Sequence, residues 1–140
     1  MPEYSLRIPS HATSPRIARD FVTSVLRAQQ LGDLVGDATL CVSELITNSC
    51  LHAVAGTGAG LRLIANPAGV HATVYDEDVT LPVMREGYDP EGGRGLWIVD
   101  SLTEGRWGAE PGGWRTGRRG EGGKGVWFEL GAPGPSGPGR

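Results

Sequence analysis

Apolar positions alternate at the start of the chain. Tyr4, Leu6 and Ile8 share one side of "EYSLRIP", which predicts a short strand with one buried face. The period then lengthens. Ile17, Phe21 and Val25 recur every four residues, with Ala18, Val22 and Leu26 alongside, so an amphipathic helix follows. Ser14 and Pro15 supply its N-cap and a proline at its first position, and Gly32 closes it. A second helix runs from Asp33 or Asp37 to Ala53. Ala38, Val42, Leu45 and Ser49 form one stripe there, with Leu40, Cys41 and Ile46 beside it. "LRLIA" and "VHATVYD" read as strands joined by the turn "NPAG", hence a hairpin. Residues 77–93 show no period and read as a long loop. Leu96, Ile98, Val99 and Leu102 restore a short helix from Arg94. "RWG" starts a strand, a Gly- and Arg-rich excursion occupies 109–123, and "KGVWFEL" alternates as a final strand. The Gly/Pro-rich end, 131–140, has the composition of a disordered tail.

The order β-α-α-β-β-loop-α-β-β predicts an α+β fold. We expect a two-layer α/β sandwich with a mixed, mostly antiparallel sheet and its helices on one face. One domain over 1–130 and a tail over 131–140 account for the 140 residues. The pattern is not a βαβ repeat, and no GxxxxGK[ST] is present, which excludes a P-loop. A net charge of −3 argues against general nucleic-acid binding. There is no apolar run of the roughly 20 residues that a membrane span needs, and "MPEYSLRIPS" has no signal-peptide pattern. A cytoplasmic protein with no membrane partner is the expectation. Cys41 and Cys50 would stand roughly 13 Å apart on one helix, too far for a disulfide, so both read as buried or half-buried thiols.

The second helix contains "SELITNSCLHA". Glu44, Asn48 and His52 stand at i, i+4 and i+8, and each step rotates only about 40°, so they lie along one stripe. A solvated face would favour Lys, Glu, Gln or Arg; asparagine is a poor interior helix residue. With Val42, Leu45, Ile46, Cys50 and Leu51 around it, this stripe is expected to face a cavity. A carboxylate and an amide oxygen are hard ligands, and one or two of them with phosphate oxygens suffice for Mg²⁺. A glutamate beside a phosphate can also accept a proton from an attacking hydroxyl or water.

Downstream, "EGGRGLWIVDSL" places Gly92, Gly93 and Gly95 at a helix entry. Glycine lets the backbone approach a ligand, and the free N–H groups of the first turn favour an anion. Asp76 ends a predicted strand, where a carboxylate can accept a hydrogen bond from an exocyclic amine; a turn-forming role fits the residue equally well.

Together these stretches resemble the ATP-binding fold shared by gyrase, the heat-shock chaperone, histidine kinases and MutL (the GHKL or Bergerat fold). Within it they look most like the bacterial anti-sigma-factor serine/threonine kinases and their small relatives. "CVSELITNSCLHA" matches the N box, "VYDEDVTLP" is similar to the first glycine box, and "GGRGLWIVDSL" matches the second. The resemblance covers roughly residues 5–130. It implies ATP and Mg²⁺ as cofactors, with Asn48 ligating the metal, Glu44 as general base and Asp76 binding the adenine amine. Gly93, Arg94, Gly95 and Leu96 would wrap the phosphates under a lid at 78–93, and His52 would be structural or lid-supporting. The implied activity is phosphorylation of a small anti-anti-sigma antagonist, sequestration of a sigma factor, or both, with a homodimer as one possible assembly.

Two departures separate the chain from that pattern. The first box has no glycine, reading Asp76-Glu77-Asp78-Val79-Thr80 instead of D-x-G-x-G. Gly125 stands about where the family often has a nucleotide-facing threonine. These departures keep open a non-catalytic nucleotide- or protein-binding switch with a degenerate ATP site. A separated histidine-kinase catalytic domain is disfavoured, because none of His11, His52 and His71 sits on a candidate dimerisation hairpin.

Overall fold

In a computed structural model, residues 2–52, 58–77, 94–112 and 123–132 are described. They carry β1 (Glu3–Ile8), α1 (Ser14–Ala28), α2 (Val35–His52), β2 (Ala59–Asn66), β3 (Gly69–Asp76), α3 (Arg94–Thr103), β4 (Trp107–Pro111) and β5 (Lys124–Gly131). A 3-10 turn at Gly32–Leu34 joins α1 to α2. This is the order that periodicity predicts. The α+β expectation holds: the strands form one sheet in the order β1-β2-β3-β5-β4. Every pairing between the described strands is antiparallel, where a mixed sheet was expected.

Register explains why the helices cover one face. Val70, Ala72, Val74 and Asp76 alternate on β3, and their partners on β5 are Leu130, Phe128, Val126 and Lys124. The apolar members of both sets are buried together with Ala18, Val22, Val25 and Leu26 of α1 and Ala38, Cys41, Val42, Leu45 and Ile46 of α2. Leu96 and Val99 bring α3 into the same core. The opposite face of the sheet carries a polar and aromatic layer. His71 Nδ1 lies 3.1 Å from Glu129 Oε2, and the His71 ring stacks on Trp127 at 5.3 Å. The Arg62 guanidinium sits 5.4 Å over the Tyr75 ring and 2.9 Å from the Glu3 carboxylate. No described helix is long and apolar enough to cross a membrane.

Several local expectations are corrected. On α1 the buried stripe is Ala18, Val22, Val25 and Leu26; Phe21 is half-buried and Ile17 is exposed. Leu40 likewise lies on the outer side of α2. Ser14 is the first residue of α1 rather than its cap, and its hydroxyl donates to the Pro9 carbonyl at 2.6 Å. Gln30, not Gly32, turns the chain out of α1. It takes φ 62°, and the Leu31 N–H reaches the Leu26 carbonyl at 2.7 Å, the Schellman closure. β4 extends to Pro111, into the segment expected to leave the sheet, and Gly131 pairs with Gly69, so it belongs to β5 and not to the tail. Residues 113–122, which hold Arg115, Arg118 and Arg119, and the tail from 133 lie outside the described residues.

Cys41 and Cys50 are free thiols, buried and half-buried, as expected. Burial pushes the Cys41 thiol up to about 12, helped by the nearby charges of Asp37 and Glu44. Burial also raises Cys50, against a backbone hydrogen bond at His11 that lowers it.

Candidate functional site

Adjacent residues of α2 serve two different neighbours. Glu44 and Asn48, half-buried, meet the first turn of α3. A Cβ built on Gly95 would stand 3.0 Å from Glu44 Oε2, 3.2 Å from Asn48 Nδ2 and 3.4 Å from Glu44 Cβ. The predicted carboxylate, amide and glycine are therefore brought together, and only a hydrogen at 95 fits without displacing the other two. Arg94 opens α3, so the helix's unpaired N–H groups lie beside the same pair. The Leu96 side chain is buried in the core, which leaves only its backbone to meet a ligand. Gly93 and the expected lid at 78–93 fall outside the described residues, as do the side chains of His52 and Arg94.

Ser49, next to Asn48, points toward the sheet. Its hydroxyl donates to Asp76 Oδ2 at 2.7 Å. Lys124 donates to the other oxygen, Oδ1, at 2.9 Å, and both partners of this ion pair are buried. Gly123, at φ +67°, lies against the Asp76 carbonyl, where a Cβ would overlap it. This glycine lets β5 begin directly beside Asp76.

Reading the sequence placed Asp76 at the strand end but missed Lys124, and it counted Ser49 only as part of the apolar stripe. Strand parity carried the signal. Lys124 alternates with Val126, Phe128 and Leu130, all core residues, so it must point inward. An inward lysine needs a carboxylate. Parity also corrects the expectation for Gly125. A Cβ there would meet Tyr75 and Thr73 on the opposite face of the sheet, so a side chain at 125 could not face a ligand beside Asp76.

The donor set suits a magnesium-bound triphosphate. Glu44 turns a carboxylate oxygen and Asn48 its amide Nδ2 toward Gly95, where a Cβ would fill the cradle; a carboxylate and, with its amide turned over, a carboxamide are hard oxygen ligands of the kind Mg²⁺ takes. A family model described as the histidine kinase-like ATPase domain matches residues 8–106, well over half of the chain. The chain belongs to this family. The match takes in α1, α2 and α3 of the ATPase domain and ends before β4 and β5. The fold of the domain is similar to the crystal structure of the RsbU and RsbW domains of Rv1364c from Mycobacterium tuberculosis, with a TM-score of 0.61 and 16% identity. That likeness covers 92% of this chain but only 31% of the other, so the domain corresponds to about a third of the longer protein. No curated protein matches the sequence.

Proposed function

We propose that this ATPase domain binds Mg²⁺·ATP between α2 and the N-terminus of α3, and that it is a serine/threonine kinase of the anti-sigma type. Its substrate would be a small anti-anti-sigma protein, and a sigma factor would be its second partner. The observation that carries this reading is the close approach of Gly95 to Glu44 and Asn48. In it, the Asn48 amide oxygen holds the metal. The first amides of α3, from Arg94, Gly95 and Leu96, hold phosphate oxygens, and the motif assigns Gly93, the residue before them in the sequence, the same role. Glu44 accepts the proton of the attacking hydroxyl. Asp76 marks the end of the site that takes the base. The bound metal supplies charge neutralisation, which with positioning is most of what phosphoryl transfer requires. The domain's likeness to a structure containing an RsbW domain supports the same direction.

One observation favours a second reading, a regulator that binds nucleotide weakly and switches partners without transferring phosphate. Asp76, the residue assigned to the base, is already paired with Lys124. Incubation with γ-labelled ATP, Mg²⁺ and a candidate anti-anti-sigma protein separates the two. The kinase reading expects label on a serine or threonine of the substrate, lost in Glu44→Ala. Transfer no greater than that of Glu44→Ala would leave the switch.

A further inference from the structure

The Ser49–Asp76–Lys124 cluster is built more completely than a base-reading carboxylate requires. Ser49 holds Oδ2 at 2.7 Å and Lys124 holds Oδ1 at 2.9 Å, so each oxygen of Asp76 has a donor from within the chain. Lys124 is placed by the β5 register directly opposite Asp76, on the same face of the sheet, and its entry into the strand is fixed by Gly123. The pair is almost closed to water, with side-chain exposures of 9% for Lys124 and 4% for Asp76.

We infer that Lys124 is a specificity-determining residue that masks Asp76, so that this site gains little from the 6-amino group of a purine. The inference rests on the proposed nucleotide site. A neutral exocyclic amine is a weaker donor to a carboxylate than an ammonium ion. The lysine is also tethered opposite its partner, so it competes at a high effective concentration. Pulling it away would leave two buried charges uncompensated, a cost that one amine contact does not recover. Binding then depends on the triphosphate and its metal, held in the proposed site by Asn48 and the first amides of α3. The purine contributes its ring faces and shape. Nucleotides that lack the amine are therefore bound about as well as ATP.

The test compares ATP with purine riboside triphosphate, the same molecule without the 6-amino group, by calorimetry with Mg²⁺. Wild-type protein is expected to bind the two within about twofold of each other. In Lys124→Met the carboxylate is released, and ATP is expected to gain about tenfold over the analogue, the scale of one hydrogen bond to a charged group. A wild-type preference for ATP clearly greater than about twofold overturns the masking role and leaves the nucleotide site standing. So does a Lys124→Met variant that melts cooperatively and still does not discriminate. The wild-type comparison needs no variant and decides the matter even if Lys124→Met does not fold. If wild type binds neither triphosphate, the nucleotide reading itself fails and takes this inference with it.

Discussion

Replacing Gly95 by alanine tests the geometry on which the site depends. The new methyl would lie 3.0 Å from Glu44 Oε2 and 3.2 Å from Asn48 Nδ2. Those distances are roughly 0.5 Å inside ordinary contact. Two effects on stability oppose each other. Alanine is favoured over glycine inside a helix by about 0.5–1 kcal/mol. Overpacking a tight site costs about 1–3 kcal/mol, but here the closest atoms are ends of flexible side chains that can turn aside. The net change is expected within about 1 kcal/mol, a shift of a few degrees in the melting temperature of a domain this size. The effect on binding has no such compensation. Glu44 and Asn48 must both move, and displacements of this order cost about tenfold or more in a positioned site. Calorimetric titration of Mg²⁺·ATP and thermal unfolding of Gly95→Ala, each beside wild type, read the two quantities separately. The reasoning is refuted if Gly95→Ala binds as wild type does, or if it loses several kcal/mol of stability and the contact proves to be a packing constraint alone.

Three further outcomes follow from the buried chemistry. Lys124→Met should lower unfolding free energy by about 3–5 kcal/mol, because the buried Asp76 carboxylate loses its counter-charge. Adding Asp76→Asn should restore much of the loss, and a double-mutant cycle in urea with purely additive effects would contradict the pairing. For Cys41, the folded-state value of about 12 stands above the ordinary 9.0. The thiol's contribution is therefore complete below pH 9 and declines as pH rises toward 12. The stability difference between wild type and Cys41→Ala should shift steadily against wild type over that range; a constant difference contradicts the assignment. At pH 8 a thiol reagent should label half-buried Cys50 well before Cys41.

The elements of the ATPase domain were legible because each carries an unambiguous period. The β1 alternation, the four-residue recurrences of α1 and α2, and the hairpin turn whose Asn66 side chain accepts from the Ala68 N–H at 2.8 Å all appear where they were expected. Periodicity locates a helix more surely than the face it buries. Ile17 and Leu40 are as apolar as their buried neighbours, and only the position of the sheet decides that they point outward. Helix closure at Gln30 was hidden for a related reason, since a glycine stood two residues away and φ 62° at a glutamine has no sequence mark.

That Glu44 and Asn48 lie together at the entry of α3 was readable from side-chain type, because a glutamate and an asparagine are unusual on an apolar helix. The Asp76 end was not. Its meaning depends on Lys124, 48 residues away in sequence, and on a register that puts the two strand ends side by side. Gly125 shows how strictly register governs such readings. One residue along β5 separates a side chain beside Asp76 from one on the far face of the sheet against Tyr75.

The central claim is that α2 and the N-terminus of α3 together hold a metal-bound triphosphate. Calorimetric titration of ATP into wild type and Asn48→Ala, each with Mg²⁺ and with chelator, measures it directly. The account predicts micromolar binding by wild type that needs Mg²⁺ and is largely lost in Asn48→Ala. Binding that is absent, indifferent to Mg²⁺, or unchanged by the substitution would contradict it.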